Sequence, residues 1–376
     1  MAAPLRLELG VPGQIMPPAS AAVKFAQRAE ADGFDAVWWP DHLMGWHPDS
    51  LWTPDLSPLA DSQANPHTYF DPLVMMAAVG AQTTRLRVGV VVTDLIRRHP
   101  AVLAQTMLTL DHLTGGRAVL GLGSGERLNI KPYGLPWDRP VARLSEGIDV
   151  IRLLWQAEGP VDFEGTFFTL AQAVLGLTPC GQAPPIWTAA HGPRMLELTG
   201  RKADGWLPTK MTCEDYEISL KTIRAAARAA GRDPDAITPA LLGYVLIGPD
   251  EQTVQRLTEH PMVRALCVLL PAAVFRKLGV EPPLTDAGDG ASGFHDFVPT
   301  SVGREEALRI VSAIPPQVVR HYAFCGTPEQ VAEQVRGYAA AGLRHLVMWN
   351  ITAFGDPALA KYSFAALKAL RAELAG

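Results

Sequence analysis

Val37-Trp38-Trp39-Pro40-Asp41-His42-Leu43-Met44-Gly45-Trp46 is an apolar strand that ends in an acid, an imidazole and, four residues on, an indole. A buried strand that delivers Asp-His-x-x-x-Trp to its carboxyl end is how a barrel enzyme presents a proton-transfer group beside an aromatic wall. The strand reads as scaffold and the loop after it as chemistry.

Working outward, short apolar runs alternate with amphipathic helical stretches, the pattern of a parallel sheet with helical crossovers. Strands are expected at Leu5–Gly10, Asp35–Trp39, Leu86–Val92, Ala118–Gly123, Pro185–Ala189, Gly205–Pro208, Tyr244–Ile247 and His345–Trp349. Helices are expected at Ser20–Asp32, Pro72–Thr83, Pro100–Leu113, Val141–Trp155, Arg194–Arg201, Cys213–Ala230, Pro328–Ala341 and Pro357–Leu374. Ser20 can cap the first helix, Gly115–Gly116 ends the third, and Thr327 with Gln330 forms a capping-box pattern before the seventh. Eight strands predict a closed (β/α)8 TIM barrel, with insertions after strands at about 124–183 and 249–325. Within the second insertion Glu281–Thr300, rich in Gly, Asp and Pro, has the composition of a lid.

The 376 residues suit one large barrel domain, and 48% of them are apolar, ample for its core. A formal net charge of −5 gives no attraction to nucleic acid or anionic lipid, so the expected partner is a small-molecule substrate. No signal-peptide pattern and no apolar run of membrane-spanning length is present, which predicts a cytoplasmic protein. Cys180, Cys213, Cys267 and Cys325 lie far apart without metal-ligand spacing and read as reduced thiols, with no metal expected.

Three further elements reach the same rim. Ala118–Gly123 runs into Ser124-Gly125-Glu126-Arg127, a glycine-rich turn that matches neither a P-loop nor a dinucleotide fingerprint. Its glycines let a flat ring approach the backbone, with Glu126 able to exchange a proton or hydrogen bond with it. Trp187 to Arg194 leads a strand through small residues into a helix start, where free amides and Arg194 make a phosphate reasonable near His191-Gly192-Pro193. Thr93, Asp94, Arg97 and Arg98 follow the third strand, and the two arginines can pair acidic cofactor tails or be merely solvated.

Asp41–His42 with Trp46, Pro100 to Gln105, Gly116–Arg117 through Gly125–Glu126, and Ala189 to Pro193 fall in the order seen in the luciferase-like barrel superfamily. Within it the chain resembles the branch that uses the deazaflavin coenzyme F420. Val92-Thr93-Asp94 with Arg97–Arg98, Gly125-Glu126-Arg127 with Pro132-Tyr133-Gly134, Pro140 to Arg143, Ala189 to Leu196 and Gly231 to Pro234 resemble the mycobacterial phthiodiolone ketoreductases, least so over Thr253–Gly303.

The resemblance implies a deazaflavin lying across the carboxyl-end mouth. It implies that His42 exchanges the substrate hydroxyl proton, that Trp46 packs near the reacting atoms, and that Glu126 faces the pyrimidine edge. Asp41 would hydrogen-bond the cofactor, a non-prolyl cis peptide at Val90–Val91 would back the ring, and Thr93, Ser124, Gly125 and Ala190 through Arg194 would complete its cradle. A homodimer through helices near the second and third strands is likewise implied. Lys210 is a possible remnant of the basic set that sugar-phosphate dehydrogenases use, a set otherwise not mapped here; Trp39, Leu43, Met44 and Trp349, expected near the mouth, suit an uncharged substrate. The expected activity is an F420-dependent ketone/secondary alcohol oxidoreductase. The alternatives are a monooxygenase using reduced flavin mononucleotide (FMN) and dioxygen, and a catalytically silent barrel that binds a cofactor or a partner.

Overall fold

In the computed structural model, which describes residues 6–284 and 292–374, eight parallel strands follow one another around a ring and close it. They are β1 (Glu8–Pro12), β2 (Ala36–Trp39), β3 (Arg87–Val90), β4 (Ala118–Gly123), β5 (Ile186–Thr188), β6 (Gly205–Trp206), β7 (Thr238–Ile247) and β8 (His345–Asn350). β8 pairs with β1 and β6 with β7, so no edge is left open. The crossover helices are α1 (Ala19–Ala31), α2 (Pro72–Gly80), α3 (Pro100–Thr114), α4 (Pro140–Gln156), α5 (Pro193–Lys202), α6 (Cys213–Ala229), α7 (Pro328–Ala340) and α8 (Ala360–Leu374).

Strand alternation divides the side chains into two layers. Val37, Trp39, Val88, Val90, Leu120 and Leu122 point out to the helices, while Ala36, Trp38, Val119, Trp187, Leu242 and Val347 fill the lumen. Trp39 is therefore not a mouth residue, contrary to expectation: it is one position out of phase, and its indole N–H donates to the Gln14 carbonyl at 3.2 Å.

Two indoles in one lumen need space, and glycines on neighbouring strands supply it. A Cβ at Gly89 would lie 2.4 Å from the Trp38 ring, and one at Gly205 would lie 2.5 Å from that of Trp187. The rings meet at 5.2 Å, and Trp38 Nε1 donates to Nε2 of buried His345 at 3.0 Å. Nδ1 of His345 faces Glu8, itself paired with Arg87. Filled this way, the lumen is a packed core rather than a ligand cavity.

Local punctuation follows the sequence with some exceptions. The Thr327–Gln330 capping box forms and Gly115 ends α3 in the left-handed region at φ 61°. Ser20 does not cap α1: the helix begins at Ala19 behind Pro18 without a side-chain cap. β7 is longer than Tyr244–Ile247 because Pro239 and Gly243 disguise its first half. Its outer half carries an additional strand, Ala323–Gly326, and the first insertion holds an antiparallel hairpin, Val161–Glu164 with Thr169–Ala173. No helix among the described residues is long and apolar enough to cross a membrane.

Candidate active site

Beyond Trp39 the chain leaves β2 and turns over the mouth. Asp41 is buried, and its carboxylate accepts from Arg98 through Nε at 3.0 Å and Nη2 at 3.3 Å, with Arg97 Nη1 at 3.4 Å. Arg97 also donates to the Asp41 carbonyl at 2.9 Å and to Asp94 at 2.6 Å, and Arg98 reaches Asp71 at 2.8 Å. Burial raises the Asp41 carboxyl, but the Arg97 and Arg98 guanidiniums outweigh it and hold it below its ordinary value. The two arginines are thus neither solvated nor free: they lock the loop after β2 to the loop after β3.

His42 sits at the centre of the site. Trp46 meets it edge-on at 5.3 Å and 72°, and Tyr69 lies at 5.3 Å and 38° on another side. Its Nδ1 is 2.9 Å from Asn129 Nδ2, 3.3 Å from the Met44 carbonyl and 3.4 Å from Glu126 Oε2. Asn129 follows Glu126 by three positions in a 3-10 turn, a spacing at which side chains eclipse, and its Nδ2 donates to Glu126 at 3.0 Å. That spacing was the only signal for Asn129 in the sequence; for Tyr69, in an irregular loop, there was none.

The loop bearing Trp46 is knit from within. Gly45 N–H donates to His67 Nδ1 at 3.0 Å, and His67 Nε2 pairs with Asp49. A Cβ at Gly45 would lie 2.8 Å from the Pro66 carbonyl and 3.0 Å from Tyr69 Oη, so only glycine lets the two loop arms close. The Trp46 indole N–H is buried without a partner among the described residues. Burial first, with neighbouring phenols and Glu126 after it, raises Tyr69 and Tyr244 above the ordinary phenol value and keeps both as neutral donors.

On the β3–β4 side the cis peptide is Val91–Val92, one residue later than expected. Val91 N–H still bonds the Trp39 carbonyl at 2.7 Å, in register with the sheet, so the chain turns only after it. Val90 faces the helix layer, and Val91 with Val92 stands at the mouth. Thr93 is buried opposite Leu122, and Ser124 and Gly125 (φ 93°) open the turn to Glu126.

After β5, Ala190 is buried and accepts from Trp206 Nε1 at 2.9 Å, while His191, Gly192, Pro193 and Arg194 are exposed. Thr209 N–H donates to His191 Nε2 at 3.3 Å, which leaves the proton on Nδ1. α5 starts behind Gly192 without a side-chain cap, and a Cβ at Gly192 would meet nothing within 4 Å.

Lys210 is no phosphate ligand at the mouth. Its ammonium donates to the His321 carbonyl at 2.6 Å above the Phe324 ring, and burial pushes it down to about 8.

The second insertion forms its own core with Trp46, Trp52, Tyr244, Tyr322, Met262 and Leu266 among its members. Residues 285–291 of the expected lid lie outside the described residues, and its flanks are docked. Asp296 pairs with Arg127 at 3.6 Å, His295 packs on Trp137 at 5.7 Å, and Thr300 Oγ1 reaches Met44 Sδ at 4.0 Å.

An acid, an imidazole and an indole thus stand together above a plugged parallel barrel, with a glycine turn beside them. Residues 3–345 match the luciferase-like monooxygenase family, and the chain belongs to it. It is 38% identical over 332 residues to a phthiodiolone/phenolphthiodiolone dimycocerosates ketoreductase of Mycobacterium kansasii, covering 86% of this chain and 88% of that one. It is 31% identical over 335 residues to an F420-dependent glucose-6-phosphate dehydrogenase of Nakamurella multipartita, covering 87% and 86%. An F420-dependent secondary alcohol dehydrogenase solved with an F420–acetone adduct has the same fold, with a TM-score of 0.72 at 22% identity over 93% of this chain and 96% of that one.

Proposed function

We propose that the protein is a coenzyme F420-dependent oxidoreductase that interconverts a ketone and a secondary alcohol on an uncharged, apolar substrate. The observation that carries this reading is His42 at the barrel mouth, held by Asn129 and Glu126 and walled by Trp46 and Tyr69. Relatives named for F420 and for ketone reduction, at 31% and 38% identity, support the same cofactor and reaction class.

The residues present fit such a group. Trp46 Nε1 is a buried donor in need of an acceptor, and open space before the uncapped start of α5 suits an anionic arm held by Gly192, Arg194 and the His191 Nδ1 proton. Val91, Thr93, Ser124, Gly125 and Ala190 would line the flat ring, with Glu126 at its polar edge and Asp41 holding that edge of the rim in place. When bound, the deazaflavin carries a hydride and reacts poorly with dioxygen.

The chain's own part is to hold the substrate oxygen and move its proton. His42 passes its Nε2 proton to the product oxygen as Nδ1 takes one on the side facing Glu126, and the same two transfers run backwards in the oxidising direction. Trp46, Tyr69 and the insertion core exclude water, and the sequestration of Lys210 leaves no cation of that loop to hold a substrate phosphate. Val74, Val102 and Leu113, at 66%, 61% and 49% exposure on α2 and α3, support a homodimer through those helices, which light scattering would test.

Titration with oxidised F420 and, in parallel, FMN, followed by absorbance and Trp fluorescence, tests the cofactor. Micromolar or tighter binding of the deazaflavin alone is expected. Preference for FMN would overturn the assignment in favour of oxygen chemistry, and tight F420 binding with no turnover of any ketone or alcohol would leave a silent barrel.

A further inference from the structure

Asn129 is 1% exposed, and its amide has one orientation that satisfies its surroundings. The backbone N–H groups of Leu43 and Met44 point at one of its side-chain atoms, at 2.8 and 2.9 Å. Both are donors, so that atom is the oxygen. Nδ2 is thereby turned the other way, with two hydrogens and two neighbours: Glu126 Oε2 at 3.0 Å and His42 Nδ1 at 2.9 Å. An amide nitrogen only donates. The short contact to Nδ1 therefore requires a lone pair on Nδ1, and a neutral ring then carries its proton on Nε2. The acceptors that would favour Nδ1–H instead, the Met44 carbonyl at 3.3 Å and Glu126 at 3.4 Å, are both farther away.

We infer that Asn129 is a positioning residue that selects the Nε2–H tautomer of His42, so that the resting site offers a donor to a ketone oxygen and no lone pair to take a hydroxyl's proton. The inference rests on the proposed role of His42 at the substrate oxygen and deepens it. Nε2 has no hydrogen-bond partner among the described residues, whereas Nδ1 is surrounded. An alcohol that gives up its proton needs the lone pair on Nε2. The ring proton must then sit on Nδ1, where Glu126 and the Met44 carbonyl can accept it, and the Asn129 contact is lost. The same three neighbours thus define two states of one ring, and Asn129 weights the balance toward the carbonyl-binding one. Shifting the ring to the other state withdraws the donor a ketone needs while an alcohol can still bind through its O–H, and changes the ratio of ketone to alcohol affinity roughly tenfold.

The test uses the full chain labelled with 15N-histidine, free of cofactor, at about pH 8, above the ordinary imidazole range. Long-range 1H–15N spectra, with His42 assigned by its disappearance in His42→Gln, read the tautomer directly. The expected wild-type spectrum has a pyridine-like Nδ1 and a pyrrole-like Nε2. In Asn129→Asp the side chain can still accept from Leu43 and Met44 but turns an acceptor oxygen toward Nδ1, which should become pyrrole-like. With cofactor present, that variant should bind alcohol better relative to ketone by roughly tenfold. A pyrrole-like Nδ1 in the wild type overturns the inference without touching the oxidoreductase reading, and so does an unchanged pattern in a folded Asn129→Asp. The expected spectrum in a protein that turns over neither ketone nor alcohol keeps the tautomer and overturns the function.

Discussion

Replacing Asp41 by Asn should destabilise the protein by about 2 kcal/mol at neutral pH, with a pH signature that identifies the cause. The side chain keeps its shape and loses its charge. Removing one partner of a buried ion pair costs ~3–5 kcal/mol when the other is left uncompensated. Compensation is partial here. Arg97 keeps Asp94 at 2.6 Å and Arg98 keeps Asp71 at 2.8 Å, the two arginine side chains are 11% and 26% exposed, and the amide oxygen can still accept one bond. These bring the loss below that range, to about 2 kcal/mol.

The sign with pH follows from the lowered folded value of Asp41. A carboxyl depressed by folding contributes fully above its unfolded value of ~3.9, and that contribution disappears as pH falls through the folded value. The variant has no such group. The gap between wild type and variant should therefore be widest near neutrality and narrow steadily below about pH 4. Urea denaturation across that range, read by Trp fluorescence, measures the gap. A gap that does not change with pH, or no gap at neutrality, would refute the assignment of Asp41 as a stabilising ionised partner of Arg97 and Arg98.

Two other substitutions address the site and its support. His42→Ala should lower kcat by ~10²–10⁴ while leaving F420 affinity unchanged, as separate turnover and titration measurements would show; equal turnover removes His42 from proton transfer. Gly121→Ala puts a Cβ 2.0 Å from the Val90 carbonyl oxygen, a backbone atom that cannot step aside without parting β3 from β4. It should cost the upper end of ~1–3 kcal/mol or more in unfolding experiments, and a neutral result would mean that the strands sit farther apart than described.

His42 and Glu126 were legible because each follows a block of buried strand residues, and such a block has one readable end in a barrel. The strands were legible for the same reason, except where Pro239 and Gly243 hid half of β7. Phase was harder: Trp38 and Trp39 are the same residue type, and only the register with neighbouring strands shows that the first fills the lumen and the second faces the helices. The cis peptide fell one residue away from its expected place for a related reason, since Val90, Val91 and Val92 are identical in kind and hydrogen bonding alone tells where the sheet ends. Arg97 and Arg98 could not be read at all as partners of Asp41, 56 and 57 positions away. Asn129 reaches Leu43 and Met44 across 86 and 85 positions, and no local pattern records such a contact.

These long-range contacts also separate the labours of the site. The loops after β2, β3 and β4 are joined by Asp41, the two arginines and Asn129, all on the barrel itself. Trp46 and Tyr244 belong instead to the core of the second insertion, which is tied down by Arg304 on Asp55 and by Ser50 Oγ on the Val302 carbonyl at 2.9 Å. His42 stands where the two regions meet. A change within the insertion core reshapes the space beside Trp46 while leaving the Asp41 and Asn129 networks intact, because none of their hydrogen bonds runs through it. On the proposed reading, substrate choice can therefore drift over residues 249–325 without disturbing His42.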